Sequence, residues 1–170
     1  MNLQSTDFEL FAVPARFAQD AAALGARWKE LQRQVHPDKF AAEGPAAQRL
    51  AMQWSVRINQ AYQRLRDPLQ RARYLCELQG QSVDAEDNTA MPPQFLMQQM
   101  QWLEALDEAQ SAQELQPIAH EVQQALDETI QAVAQALDAK GDAQAAAEHI
   151  RAWMFLARFE QRLAQRQRQL

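Results

Sequence analysis

Apolar residues return every three or four positions along most of this chain, the period of a helix with one buried face. Leu24, Trp28, Leu31 and Val35 form a first stripe at spacings of four, three and four. Asp20 stands where an N-cap is needed to start it. Pro37 disfavours α geometry at His36, so the helix is expected to stop at about Val35 or His36. Gly44-Pro45 opens a second helix, with proline near the first helical position, and Ala47, Leu50, Trp54, Ile58, Ala61 and Leu65 supply its stripe. A loop of about nine residues joins the two, which predicts an antiparallel hairpin. Asp67-Pro68 starts a shorter helix carrying Tyr74, Leu75 and Leu78, and FELFAVP (Phe8 to Pro14) reads as a short helix or turn adding Phe8, Phe11 and Val13 to the core.

The pattern lapses from about Leu78 to Pro93, where QGQSVDAEDNTAMPP brings Gly80, a group of acidic residues and Pro92-Pro93. Such a stretch predicts a linker. Beyond it, helical periodicity resumes over roughly 93–110, 115–138 and 143–167. Ser111 and Glu114 are spaced as a capping box, although Pro117 points to a regular helix beginning only there. Lys140-Gly141-Asp142 separates the last two segments. The economical division is 1–78, a linker at 79–91, and a three-helix domain at 92–170.

Composition narrows the class. Apolar residues make up 47% and there are only four glycines, while helix-favouring Ala, Gln, Leu, Glu and Arg abound and Val and Ile are too scarce for a sheet. The expected fold is all-α. The single cysteine, Cys76, excludes an intrachain disulfide and a cysteine-rich metal site; it reads as a small buried apolar side chain. No run approaches the ~18 apolar residues of a membrane span, and Asp7 and Glu9 stand where a targeting leader would be basic. A cytoplasmic protein that does not enter a membrane is the expectation.

Charge is unevenly placed. Residues 1–80 hold 11 Lys and Arg against 8 Asp and Glu, whereas residues 81–170 hold 6 against 14, giving +3 and −8 and a total of −5. The two halves therefore suit differently charged partners, and nucleic acid is not expected among them. On the first long helix Lys29 and Arg33 lie about 40° apart on a helical wheel, roughly 150° from the centre of the apolar stripe. That makes one face buried and one positive. His36 and Asp38 follow at the hairpin tip. They could serve as a base and its orienter, but no nucleophile, metal-ligand set or glycine-rich phosphate loop accompanies them, and His120 and His149 are isolated. Neither enzymatic activity nor a bound metal or cofactor is expected.

Taken together, FELFAV, the basic amphipathic helix, His36-Pro37-Asp38, INQAYQRLRDP (Ile58 to Pro68) and RARY resemble a J-domain over about residues 5–76. The resemblance implies that His36, Pro37 and Asp38 form a loop that signals to a seventy-kilodalton heat-shock chaperone and stimulates its ATPase. It implies also that Lys29 and Arg33 meet an acidic surface of that chaperone. The glycine/phenylalanine-rich linker and zinc repeats of general J-proteins are absent. Instead LQRQVHPDKF, FLMQQMQWLEALDEA and the three C-terminal helices resemble, over essentially the whole chain, the HscB family of iron–sulfur cluster biogenesis. That resemblance implies an HscA-type chaperone as partner and an IscU-type scaffold as client, in a bacterial cytoplasmic form.

The first C-terminal helix can be read on its own residues. With Phe95 at the origin of the wheel, Trp102, Leu103 and Leu106 make a core stripe, Leu96 stands at its margin, and Met97, Met100, Glu104 and Glu108 lie outside it. Two methionines on a mixed acidic face suit either a solvated core edge or an adaptable partner surface. On the last helix Ile150, Trp153, Leu156 and Ala157 span the apolar arc, with Phe155 beyond its edge. The family resemblance implies a scaffold-binding patch at Leu96, Met97, Met100, Gln101, Glu104, Glu108 and Phe155. Gln101 departs from the acidic residue the family often has there, so one electrostatic contact of that patch is not expected. Because iron–sulfur clusters are held largely by cysteine thiolates, a chain with one cysteine is expected to handle the cluster's carrier and not the cluster.

Overall fold

The computed structural model describes residues 2–84 and 91–170, and every described element is helical. Its α-helices are α1 (Asp7–Phe11), α2 (Ala21–Gln34), α3 (Pro45–Arg66), α4 (Pro68–Leu78), α5 (Pro93–Glu108), α6 (Gln116–Ala134) and α7 (Ala143–Gln169). The chain divides into two compact units, Met1–Leu75 and Cys76–Leu170. Much of the 79–91 linker expectation falls on residues 85–90, outside the described residues. On the near side Val83 is buried.

In the first unit, α2 starts where the Asp20 carboxylate accepts from the amides of Ala22 and Ala23. Leu24 and Leu31 are buried, while Trp28 and Val35 are half-buried. A polar seam ties α2 to α3: the Trp28 indole donates to Asn59 at 2.8 Å, and Gln32 exchanges hydrogen bonds with Ser55 and donates to the Asn59 side-chain oxygen. Tyr62 stacks on Trp28 and Phe11. Asp67 ends α3 and caps α4 by accepting from the amides of Leu69 and Gln70. α1 is fixed through Asp7, which is fully buried and receives Arg64 at two oxygens and Arg57 at 2.9 Å. Tyr74 accepts the Asp7 amide proton at 3.0 Å and stacks on Phe8.

Two sequence expectations for the core fail and a third is met only in part. Leu50 is half exposed, because the α3 seam runs through Ala51, seven residues before Ile58, and leaves Leu50 one residue off the buried line. Leu78 is exposed at the C-terminal end of α4. Val13 is only half-buried, and Phe17, in the connection to α2, takes the buried position instead, with its carbonyl receiving the Arg71 guanidinium. The hairpin connection is not an irregular loop either. Pro37–Glu43 winds as a 3₁₀-helix, and Gly44, at φ 99°, makes the left-handed turn into α3.

In the second unit α5 ends at Glu108, two residues before the expected boundary. Glu114 accepts from the Gln110 amide while Ser111 accepts from Glu114, so the capping-box pair serves a short 3₁₀ turn and α6 begins at Gln116 with Pro117 in its first turn. α6 gives way at Gln135–Ala139 to a π-helical turn that the periodicity did not show. Asp142 then caps α7 at the Ala145 amide. Val122, Leu126, Val133, Ile150, Trp153, Leu156 and Phe159 are buried in this unit. Cys76 is buried too; its thiol donates to the Ala143 carbonyl, and burial pushes its pKa up to about 11.

Candidate functional site

Two groups of residues stand out for exposure without an evident role in packing, one in each unit. The first lies at the tip of the α2–α3 hairpin. His36 has the extended backbone (φ −58°, ψ 127°) that a following proline imposes. Its Nδ1 accepts from the Asp38 amide at 3.3 Å and lies 3.7 Å from the Asp38 carboxylate. Pro37 occupies the first 3₁₀ position, where its missing N–H costs nothing. The Asp38 side chain is 91% exposed. The turn is thus internally braced, and its carboxylate is an acceptor-only group facing solvent.

Lys29 and Arg33 both stand exposed on α2, the helix leading into this turn. They differ in one respect the sequence did not reveal. Lys29 has no partner among the described residues, whereas Arg33 is engaged by Glu30 at 2.6 Å, a carboxylate that also accepts from Gln34. Part of the basic face is neutralised from within the same helix.

The second group lies on α5 and α7. Leu96, Met97 and Met100 are 44%, 61% and 70% exposed, the last two the most exposed large apolar side chains among the described residues. Gln101, Glu104 and Glu108 are exposed beside them on α5. Phe155 is half-buried and belongs to an aromatic row: Phe95 meets it edge-on at 5.7 Å, Phe159 stacks at 6.1 Å, and Phe159 in turn touches Trp102 at 5.8 Å. The row anchors Phe155 to the core while leaving part of it accessible. Sequence reasoning placed Phe95 in the core and missed its part in seating Phe155; the signal available was its position one residue before Leu96, at the edge of the exposed α5 face. A second missed feature is the hydrogen bond from the Trp102 indole to Glu121 at 2.8 Å across α5 and α6.

Among the described residues no group of three or more His, Cys, Asp or Glu side chains converges as a metal site would require. No helix among them is long and apolar enough to cross a membrane.

Comparison with known proteins gives a consistent result. A family described as the HSCB C-terminal oligomerisation domain matches residues 91–164. The co-chaperone protein HscB homolog of Bordetella petrii is 49% identical over 158 residues, covering 92% of this chain and 93% of the relative. That of Burkholderia multivorans is 47% identical over 161 residues, covering 93% and 91%. Among solved structures, chaperone HscB from Vibrio cholerae is similar with a TM-score of 0.83 at 32% identity, over 97% of this chain and 99% of that one. Human co-chaperone protein HscB is similar with a TM-score of 0.90 at 28% identity, over 100% and 86%.

Proposed function

The chain belongs to the HscB family of co-chaperones, and on that premise we propose that it carries an IscU-type iron–sulfur scaffold to an HscA-type heat-shock chaperone and stimulates that chaperone's ATPase. The working division is a J-domain at 1–78, a linker at 79–91 and a client-binding domain at 92–170, acting in the cytoplasm. Lys29 and Arg33 steer the J-domain onto an acidic chaperone surface. His36 and Pro37 hold the turn, and Asp38 presents its carboxylate to a cationic group of the chaperone, a charge-assisted contact. Leu96, Met97, Met100 and Phe155 hold the scaffold, with Gln101, Glu104 and Glu108 around them. Gln101 contributes hydrogen bonding without charge. No step in this cycle asks the chain for bond chemistry of its own; hydrolysis belongs to the chaperone.

The observation that carries the client half is the exposure of Leu96, Met97 and Met100 on one helix, beside carboxylates and an anchored aromatic ring. An interface centre of this kind contributes about 1–3 kcal/mol per truncated side chain. Calorimetric titration with the scaffold should therefore show binding by the wild type and its loss in a Leu96→Ala, Met97→Ala, Phe155→Ala variant whose helical circular dichroism is unchanged. Equal binding by that variant would move the client site elsewhere, and no binding by the wild type would remove the scaffold as client.

A second reading is favoured by one finding, the description of the matching C-terminal family as an oligomerisation domain. On that reading the same apolar face pairs with a second copy. Sedimentation equilibrium separates the two: a dimer that the triple variant abolishes favours self-association, while a monomer that binds scaffold favours the client.

A further inference from the structure

We infer that the groove between α5 and α6 seats a basic side chain, lysine or arginine, of the same client that docks on the adjoining Leu96–Met97–Met100 face. The inference rests on the client-binding reading and extends it to a surface to which the sequence assigned no role. The groove measures about 380 Å³, within the range of sites that take a small group or side chain. Phe95, Trp102 and Ala125 supply its apolar wall; Glu121 and Glu128 stand on its α6 side and Gln101 on its α5 side, with two further glutamines completing it.

Three features select the occupant. First, the lining contains two carboxylates and no cation, so an acidic segment is repelled. A purely apolar one would strip water from the carboxylates with nothing in exchange. A lysine or arginine satisfies both halves of the site, its methylene stem on the apolar wall and its head at the carboxylates. Second, one carboxylate is already oriented: Glu121 accepts the Trp102 indole proton at 2.8 Å, which leaves its other oxygen to face a ligand with less freedom to lose on binding. Glu128 is exposed and has no partner among the described residues. Third, the groove is continuous with the proposed client face, because Gln101 belongs to both. On α5 the order around the helix runs from the groove through Gln101 to Met97 and on to Met100 and Leu96. A client lying across α5 reaches the groove without leaving the surface.

The test is a calorimetric titration of the full chain with an IscU-type scaffold at low and high salt, comparing wild type, Glu128→Lys, Glu128→Gln and Asp127→Lys. Asp127 is exposed on α6 outside the groove lining, so its reversal alters net charge as Glu128→Lys does but spares the site. Losing a charge-assisted contact should weaken binding about tenfold in Glu128→Lys and about threefold in Glu128→Gln. Asp127→Lys should stay within about twofold, the effect of long-range charge alone. Both Glu128 variants should also flatten the salt dependence. Equal affinities for Glu128→Lys and Asp127→Lys overturn the inference. If the Leu96→Ala, Met97→Ala, Phe155→Ala variant loses binding while the Glu128 variants match wild type, the groove is not part of the site and the client reading stands. If the wild type itself does not bind the scaffold, both fall.

Discussion

A carboxylate shut off from water must be neutralised by its neighbours, and Asp7 shows how tightly. It has no solvent exposure, receives Arg64 through two nitrogens and Arg57 through a third, and its amide donates to the Tyr74 hydroxyl. The Arg64 guanidinium also lies 3.9 Å over the Tyr74 ring. One residue thus joins α1, α3 and α4. Asp7→Asn keeps the shape and leaves two cations facing a neutral amide. Removing one partner of a buried charge cluster costs about 3–5 kcal/mol, and because the Arg64 side chain is 37% exposed the lower end is expected, about 3 kcal/mol. Urea unfolding followed by tryptophan fluorescence should place the first transition at distinctly lower urea in the variant; an unchanged midpoint would make the cluster dispensable. Nothing local in the sequence announces it, since Asp7 pairs with residues 50 and 57 positions away, and beside Glu9 it reads as surface charge. Phe17 was illegible for the same reason: it is a lone aromatic in a connection, buried by distant contacts. Cys76 was legible because a small apolar residue inside a helical stripe has only one ordinary fate.

At the scale of the element, the periodicity placed the long helices within a few residues and erred where side-chain size overrode register. In α3 the larger Leu50 drew the reading away from Ala51, although Ala51 holds the buried position. On α5 the same wheel put Met97 and Met100 outside the core arc, and they are exposed, so that half of the candidate site was readable from one helix alone. The hairpin tip was readable as a turn but not as a 3₁₀-helix, since its residues are exposed or half-buried and show no apolar period. The Glu30–Arg33 pair also belongs to this scale. It spans one turn of α2, contributes little to stability as an exposed pair, and withdraws one positive charge from the face proposed to meet the chaperone. Glu30→Gln frees that charge. Surface plasmon resonance with an HscA-type chaperone should show an association rate about two- to fivefold higher at low salt, fading at high salt as screening sets in. A rate that does not change with the substitution would mean that Arg33 is not part of the encounter surface.

For the whole molecule, the relevant property is that the two proposed contacts sit in separate compact units, the basic half holding the chaperone contact and the acidic half the client contact. A chain that works by bridging raises the local concentration of one partner at the other. It also has a characteristic failure. When the bridge outnumbers its partners, each binds a different copy and the ternary complex is lost. ATPase stimulation by chaperone and scaffold together should therefore rise and then fall as this chain is titrated, instead of reaching a plateau. The two halves can be uncoupled by residue. Asp38→Asn keeps the proposed scaffold face and loses the carboxylate proposed to signal, so when added to a wild-type reaction it should suppress stimulation by sequestering scaffold. Combining Asp38→Asn with Leu96→Ala and Met97→Ala removes the scaffold contact as well and should relieve that suppression. A plateau with no decline, together with equal suppression by both variants, would show that the scaffold reaches the chaperone independently of this chain and that the two units do not act as one bridge.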